Sequence, residues 1–219
     1  MCTAALRVHV LRAALVALGT AVSTYGYLLT VASRVGNGPL FAIHDGLHRR
    51  LDVPLGVAAA AVGLVLVAGA AALRAPLGPS TVAIPLLTGL AVEVLEPLVV
   101  TPTGPALRWV GFLAGTAVMM LGAVVALGAS AGAAAIDGVM LGLSERLGTS
   151  AATTRLAMEL GMALTGAWLG GRVGVGTLVM GASVGPLFAF WSRRLRRWGL
   201  PLPAGNRTEA RSVAPTPLG

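Results

Sequence analysis

The segment Gly36-Asn37-Gly38-Pro39-Leu40-Phe41-Ala42-Ile43-His44-Asp45-Gly46-Leu47-His48-Arg49-Arg50-Leu51 decides how this chain is read. It is polar and glycine-rich, too short and too charged to cross a bilayer, and it lies between long apolar runs. It returns 96 residues later: Gly46-Leu47 comes back as Gly142-Leu143, and Arg50-Leu51 as Arg146-Leu147. Outward from it the register holds. Leu11-Arg12 matches Leu107-Arg108, Gly19-Thr20-Ala21-Val22 matches Gly115-Thr116-Ala117-Val118, and Gly26 matches Gly122. On the other side Leu73, Gly78, Thr81 and Gly89 match Leu169, Gly174, Thr177 and Gly185. One identity in an Ala/Gly/Val-rich chain means little. A constant offset across two apolar runs and the loops between them signals a duplicated unit.

The chain is 56% hydrophobic and 11% charged, with a mean hydropathy of +0.83. A soluble domain carries about 25% charge, so there is too little polar surface here to coat one. Apolar runs of about 20 residues recur, each long enough to cross the roughly 30 Å hydrocarbon core. The chain therefore reads as an integral membrane protein whose first partner is the lipid bilayer. All 16 basic residues are Arg, and they cluster in the tail at Arg193, Arg194, Arg196, Arg197, Arg207 and Arg211. Such a cluster marks the cytoplasmic side. Nucleic acid is not expected as a partner, because no soluble domain carries the charge. The single Cys2 excludes an internal disulfide and a Cys-based metal cluster.

Apolar spans are expected at about residues 13–32, 55–73, 81–100, 107–127, 150–169 and 177–191. The organisation that follows is a basic lead (1–12), a first repeat (13–106), a second repeat (107–192) and a basic, Pro-rich tail (193–219) expected to be disordered. The expected fold is all-α: six transmembrane helices as two inverted three-helix repeats, each with a short polar helix that is re-entrant or interfacial. The inversion follows from the odd number of spans per repeat, and inverted repeats are the construction of many secondary transporters. Both termini are expected in the cytoplasm, although Arg34, Arg49 and Arg50 then fall on the outer side, against the positive-inside tendency.

Several motifs together resemble the YczE/YitT-like membrane proteins of bacteria. In the first half these are Gly36-x-Gly38-Pro39 and His44-x-Gly46-Leu47. In the second they are Asp137-Gly138-x-Met140-Leu141-Gly142-Leu143-Ser144, Thr154-Arg155 with Glu159, Gly166-x-x-Leu169-Gly170-Gly171, Val173-Gly174-Val175-Gly176-Thr177-Leu178 and Gly185-Pro186-Leu187. Leu40-Phe41 and Ala134-Ala135-Ile136 depart from the family pattern. The resemblance implies a polytopic inner-membrane protein of poorly defined activity.

Charges inside spans cost about 2.5–3.5 kcal/mol each on insertion scales, so each needs a reason. Arg155 and Glu159 share a helix face at i, i+4, either as a structural ion pair or as a substrate or proton site. Glu93 and Glu96 share a face of the third span. Glu93 is expected near the depth of Glu159, and Glu96, beside Pro97, either joins the acids or reaches interfacial water. More acid than base within the bilayer is the pattern a proton-coupled or cation-handling transporter leaves. His44 and His48, also at i, i+4, have the spacing of a metal-sharing pair, but beyond Asp45 and Asp52 no further ligand is evident. A hydrated interfacial pair is the favoured reading, and neither metal nor cofactor is expected. Asp137 in the second polar segment is a cap or a binding residue. No nucleophile–base pair, phosphate loop or metalloprotease motif occurs, so enzyme chemistry is not expected. The expected function is small-molecule transport or export, with a midplane site built from Glu93, Arg155 and Glu159. The alternative is a non-transporting membrane regulator or adaptor acting through the basic tail. Substrate and homo-oligomeric state are left open.

Overall fold

A computed structural model describes residues 2–130 and 134–197. They form α1 (Cys2–Ser33), α2 (Pro39–Leu51), α3 (Leu55–Ala72), α4 (Pro79–Leu95), α5 (Pro105–Ala129), α6 (Ala135–Leu147), α7 (Ala151–Trp168) and α8 (Val175–Arg197). A 3-10 turn, Glu96–Leu98, follows α4, and no strand occurs among the described residues. The basic lead is helical from Cys2 and continuous with the first apolar run. The tail from residue 198 on, and residues 131–133 of the second polar segment, lie outside the described residues.

The 96-residue offset fixes element boundaries. α6 starts and ends 96 residues after α2, and α7 does so after α3. Stops recur as well: Asp52 and Gly148 take left-handed φ values of 53° and 64°, and Arg74 and Gly170 take 59° and 88°. Starts of α4 and α8 match in turn. The Gly78 N–H donates to Thr81 Oγ1 at 3.0 Å, and the Gly174 N–H to Thr177 Oγ1 at 3.1 Å. α2 begins on Pro39, whose missing N–H is not needed at the first helical position. It ends on His48, Arg49 and Arg50, whose positive charge suits a helix C-terminus.

α1 and α5 form the centre. Gly19 meets Gly122 and Ala126, while Gly26 meets Gly115 and Met119. As one number rises the other falls, so the two helices run antiparallel. A Cβ at Gly19, Gly26 or Gly122 would strike facing backbone. Small residues at such crossings let helices approach where lipid removes the hydrophobic drive for association. α4 flanks α1 and α8 flanks α5. The short helices close the two ends: α2 packs on α7 and α3, and α6 on α3 and α7. Arg50 Nη1 donates to the Trp168 carbonyl at 3.3 Å, and Arg146 Nη2 to the Ala72 carbonyl at 2.9 Å. Each short helix thus holds the C-terminus of a long helix from the other half.

Five helices are long and apolar enough to cross a membrane: Leu6–Ser33, Leu55–Ala72, Pro79–Leu98, Pro105–Ala129 and Val175–Arg197. The expected span at 150–169 is the helix α7, which falls outside that set. Its Arg155, Glu159 and threonines lower its hydropathy. Yet Leu156, Leu160, Leu164 and Trp168 repeat at i, i+4, each more than half exposed, so α7 presents an apolar stripe outward.

Candidate functional site

Two polar centres stand out, one at each end. At the α2 end, Asp45 is buried. Its Oδ1 accepts Arg49 Nε at 3.1 Å, and its Oδ2 accepts the Arg172 backbone N–H at 2.9 Å, with Arg172 Nε 4.0 Å away. Burial draws the Arg172 guanidinium below its ordinary pKa, and Asp45 opposes that shift. The Arg172 carbonyl in turn accepts the Asn37 N–H at 2.9 Å. These bonds tie α2 and its leading loop to the α7–α8 turn. Beside them Tyr27 stacks on Phe41 with ring centroids 4.4 Å apart, and His44 sits edge-on to both at 6.0 and 5.8 Å. Both His44 ring nitrogens, Tyr27 Oη and Asn37 Nδ2 are buried without a hydrogen-bond partner among the described residues. A buried polar group left unsatisfied costs about 1–3 kcal/mol, so this cluster is expensive to keep. Burial lowers the His44 pKa from 6.5 to about 4, which keeps the imidazole neutral. His48 does not pair with it: its Nδ1 bonds the Val53 carbonyl at 2.7 Å. No group of three metal-ligating side chains occurs among the described residues.

At the α6 end, Arg155 on α7 bridges two carboxylates. Its Nε donates to Glu159 Oε1 at 2.9 Å, and its Nη1 to Asp137 Oδ1 on α6 at 3.1 Å. All three side chains are partly open, between 29% and 40% exposed. Burial raises the Asp137 pKa above its ordinary value, while the charge and hydrogen bond of Arg155 pull it back.

What surrounds this triad is clearest against the other half. α3 and α4 pack along each other. Gly56 and Gly89 meet backbone to backbone, and a Cβ at Gly63 would lie 2.6 Å from Pro85 Cβ. α7 and α8 do not pack this way. At Gly181 and Gly185, the positions corresponding to Pro85 and Gly89, an added Cβ meets nothing within 4 Å. Arg155 and Glu159 occupy the positions of Ala59 and Gly63. Where the first half puts small residues that let the helices touch, the second puts a guanidinium and a carboxylate. α7 and α8 are thus not packed along each other as α3 and α4 are.

The remaining acids lie elsewhere. Glu93 Oε1 accepts the Gly56 N–H at 2.8 Å and so caps the start of α3. Asp137 sits by the other end of that helix, since the next residue, Gly138, faces Ala70 and Ala75. At 1.5 Å per residue along α3, Glu93 and the triad are about 20 Å apart. The structure thus unites Arg155, Glu159 and Asp137 and leaves out Glu93, and with it Glu96, which is exposed. Tyr27, Asn37 and Arg172 joined the α2-end cluster without being singled out from sequence. Arg172, a charge inside a glycine-rich turn, was the available signal.

A relative from Haemophilus influenzae, described as an uncharacterized protein, is 27% identical over 173 residues, covering 77% of this chain and 78% of its own. No solved structure matches. The model of a family of unknown function, DUF6198, matches residues 10–193, which takes in every described helix centre and both polar ends. The chain belongs to the DUF6198 family.

Proposed function

We propose that this is a six-span membrane protein, built as two inverted three-helix repeats, that carries a small polar molecule across the bilayer between α7 and α8. One observation carries the reading: Arg155 and Glu159, joined to α6 through Asp137, sit on an α7 that α8 does not pack along, where the corresponding α3 is closed by α4. Arg155 and Glu159 cost several kcal/mol in a span, and an ion pair needed only for packing would be covered by its neighbour. The antiparallel α1–α5 pair and the 96-residue recurrence support inverted repeats. The outward apolar stripe of α7 supports its being the sixth span despite its charges.

Charge supports an orientation. Arg7, Arg12, Arg74, Arg146, Arg155 and the arginines of the last α8 turn gather at the α6 end. The α2 end holds fewer, Arg34, Arg49, Arg50, Arg108 and Arg172. By the positive-inside rule the α6 end faces the cytoplasm, with both termini there, in the inner membrane as the resemblance to YczE/YitT-like proteins implies.

The test is flux into proteoliposomes over a panel of charged and polar metabolites. Saturable uptake of one class is expected, reduced at least tenfold in Glu159→Gln and Arg155→Gln proteins that still elute as single folded species. In a Cys2→Ser background, Gly185→Cys should react with a thiol reagent and Gly89→Cys should not. That labelling pattern with no flux across the panel would sink transport and favour a regulatory role.

A further inference from the structure

We propose that the C-terminal turn of α8 is a binding site for a phospholipid with an anionic headgroup. Phe190, Arg193, Arg194 and Arg197 lie at i, i+3, i+4 and i+7, so they share one helix face, and together they line a groove of about 100 Å³. No carboxylate lines it among the described residues. The opposite face is fixed: Leu195 is buried, and the Trp191 indole N–H donates to the Ala117 carbonyl on α5 at 3.1 Å. Arg193, Arg194 and Arg197 are exposed. They follow directly on the apolar part of a candidate span, Val175–Arg197, and so stand at headgroup level.

Arg193 and Arg197, one turn apart on one helix face, repel each other unless an anion joins them. Guanidinium forks bind phosphate oxygens bidentately, so a phosphodiester held between Arg193 and Arg197 satisfies both. Phe190, half exposed and edge-on to Trp191 with centroids 5.2 Å apart, supplies an apolar wall one turn deeper. A lipid uses both parts, its phosphate on the arginines and its acyl chain on Phe190, whereas free phosphate uses only the first. Basic clusters beside a span are attracted to anionic lipid by about 1 kcal/mol per residue. The proposal does not depend on whether the chain transports anything.

The test uses the full chain, purified in mild detergent, with bound lipid counted by native mass spectrometry after addition of phosphatidylglycerol, phosphatidylcholine or inorganic phosphate. Wild type should retain phosphatidylglycerol at least tenfold better than phosphatidylcholine. The triple variant Arg193→Gln/Arg194→Gln/Arg197→Gln should lose that preference, and Arg7→Gln/Arg12→Gln should keep it. If the triple variant does not elute as folded protein, Arg197→Gln and Phe190→Ser decide, each expected to weaken retention several-fold. Equal retention of both lipids by wild type, or unchanged retention in the groove variants, overturns the proposal. So does millimolar phosphate that displaces the lipid completely while Phe190→Ser has no effect, which would make the groove a site for free anions.

Discussion

α3–α4 and α7–α8 are the same hairpin by sequence offset, yet one is closed and the other open. In the first, Gly56 meets Gly89, Gly63 meets Pro85, and Glu93 reaches from α4 to cap the first turn of α3. In the second, α7 caps itself: Ser150 accepts the Thr153 N–H at 3.1 Å, and the residue corresponding to Glu93 is Ala189. α3 takes part of its stability from α4, whereas α7 needs nothing from α8. The sequences differ in side-chain size at two positions of α3 and α7 (Ala59 and Gly63 against Arg155 and Glu159), at one of α4 and α8 (Pro85 against Gly181), and in the source of one cap.

The sharpest way to break the comparison is to place the same substitution at both glycines. Gly89→Leu forces a side chain into the α3 backbone and should cost about 3 kcal/mol, at the upper end for overpacking. Gly185→Leu enters open space and should leave the melting temperature in detergent almost unchanged. Equal losses would mean that α8 packs against α7 after all.

The next effect concerns the short helices. His44 binds a proton near pH 6.5 when unfolded but only near pH 4 when buried in α2. Between those values the unfolded chain holds more protons, so acidification erodes stability, by about 3 kcal/mol over the window, and above pH 6.5 the contribution is fully present. The corresponding residue in α6 is Met140. His44→Met should flatten the stability profile between pH 6.5 and 4, and a slope that survives the change would exclude His44 as its source.

The smallest effects are at the caps. Glu93→Gln replaces a charge-assisted bond by a neutral one and should loosen the first turn of α3 by about 1 kcal/mol. Ser150→Ala at an exposed cap should loosen the first turn of α7 by about 0.5 kcal/mol. Amide hydrogen exchange should show Glu93→Gln acting on residues 55–58 only, and Ser150→Ala on 151–154 only. Spread of either effect into the other hairpin would contradict separate support.

Much of this could be read from residues alone, within limits set by distance along the chain. The offset placed α2 and α6, and helical spacing paired Arg155 with Glu159, because both are local regularities. Asp137 joined that pair from another helix, which no spacing rule reaches. Glu93 was expected near Glu159 from a count of residues along each span. Its depth followed instead from the Gly56 N–H it caps, so the expected three-residue site comes apart. His44 was expected to form a hydrated interfacial pair with His48, because no metal-ligand set was evident beyond Asp45 and Asp52. The Arg172 backbone N–H and Arg49 satisfy Asp45, and α2 can then bury its imidazole against Tyr27 and Phe41. The open packing of α7 and α8 was not legible because glycine marks a close contact as readily as an open face. Gly89 and Gly185 differ only in what stands opposite.

The reciprocal bonds Arg50–Trp168 and Arg146–Ala72 carry a consequence for dissection. Each half keeps its stabilising partner in the other, as do the glycine faces of α1 and α5. A half chain alone would leave its arginine without a carbonyl and its central helix bare. On the proposed inverted-repeat reading, two copies of one half inserted in opposite directions would satisfy both.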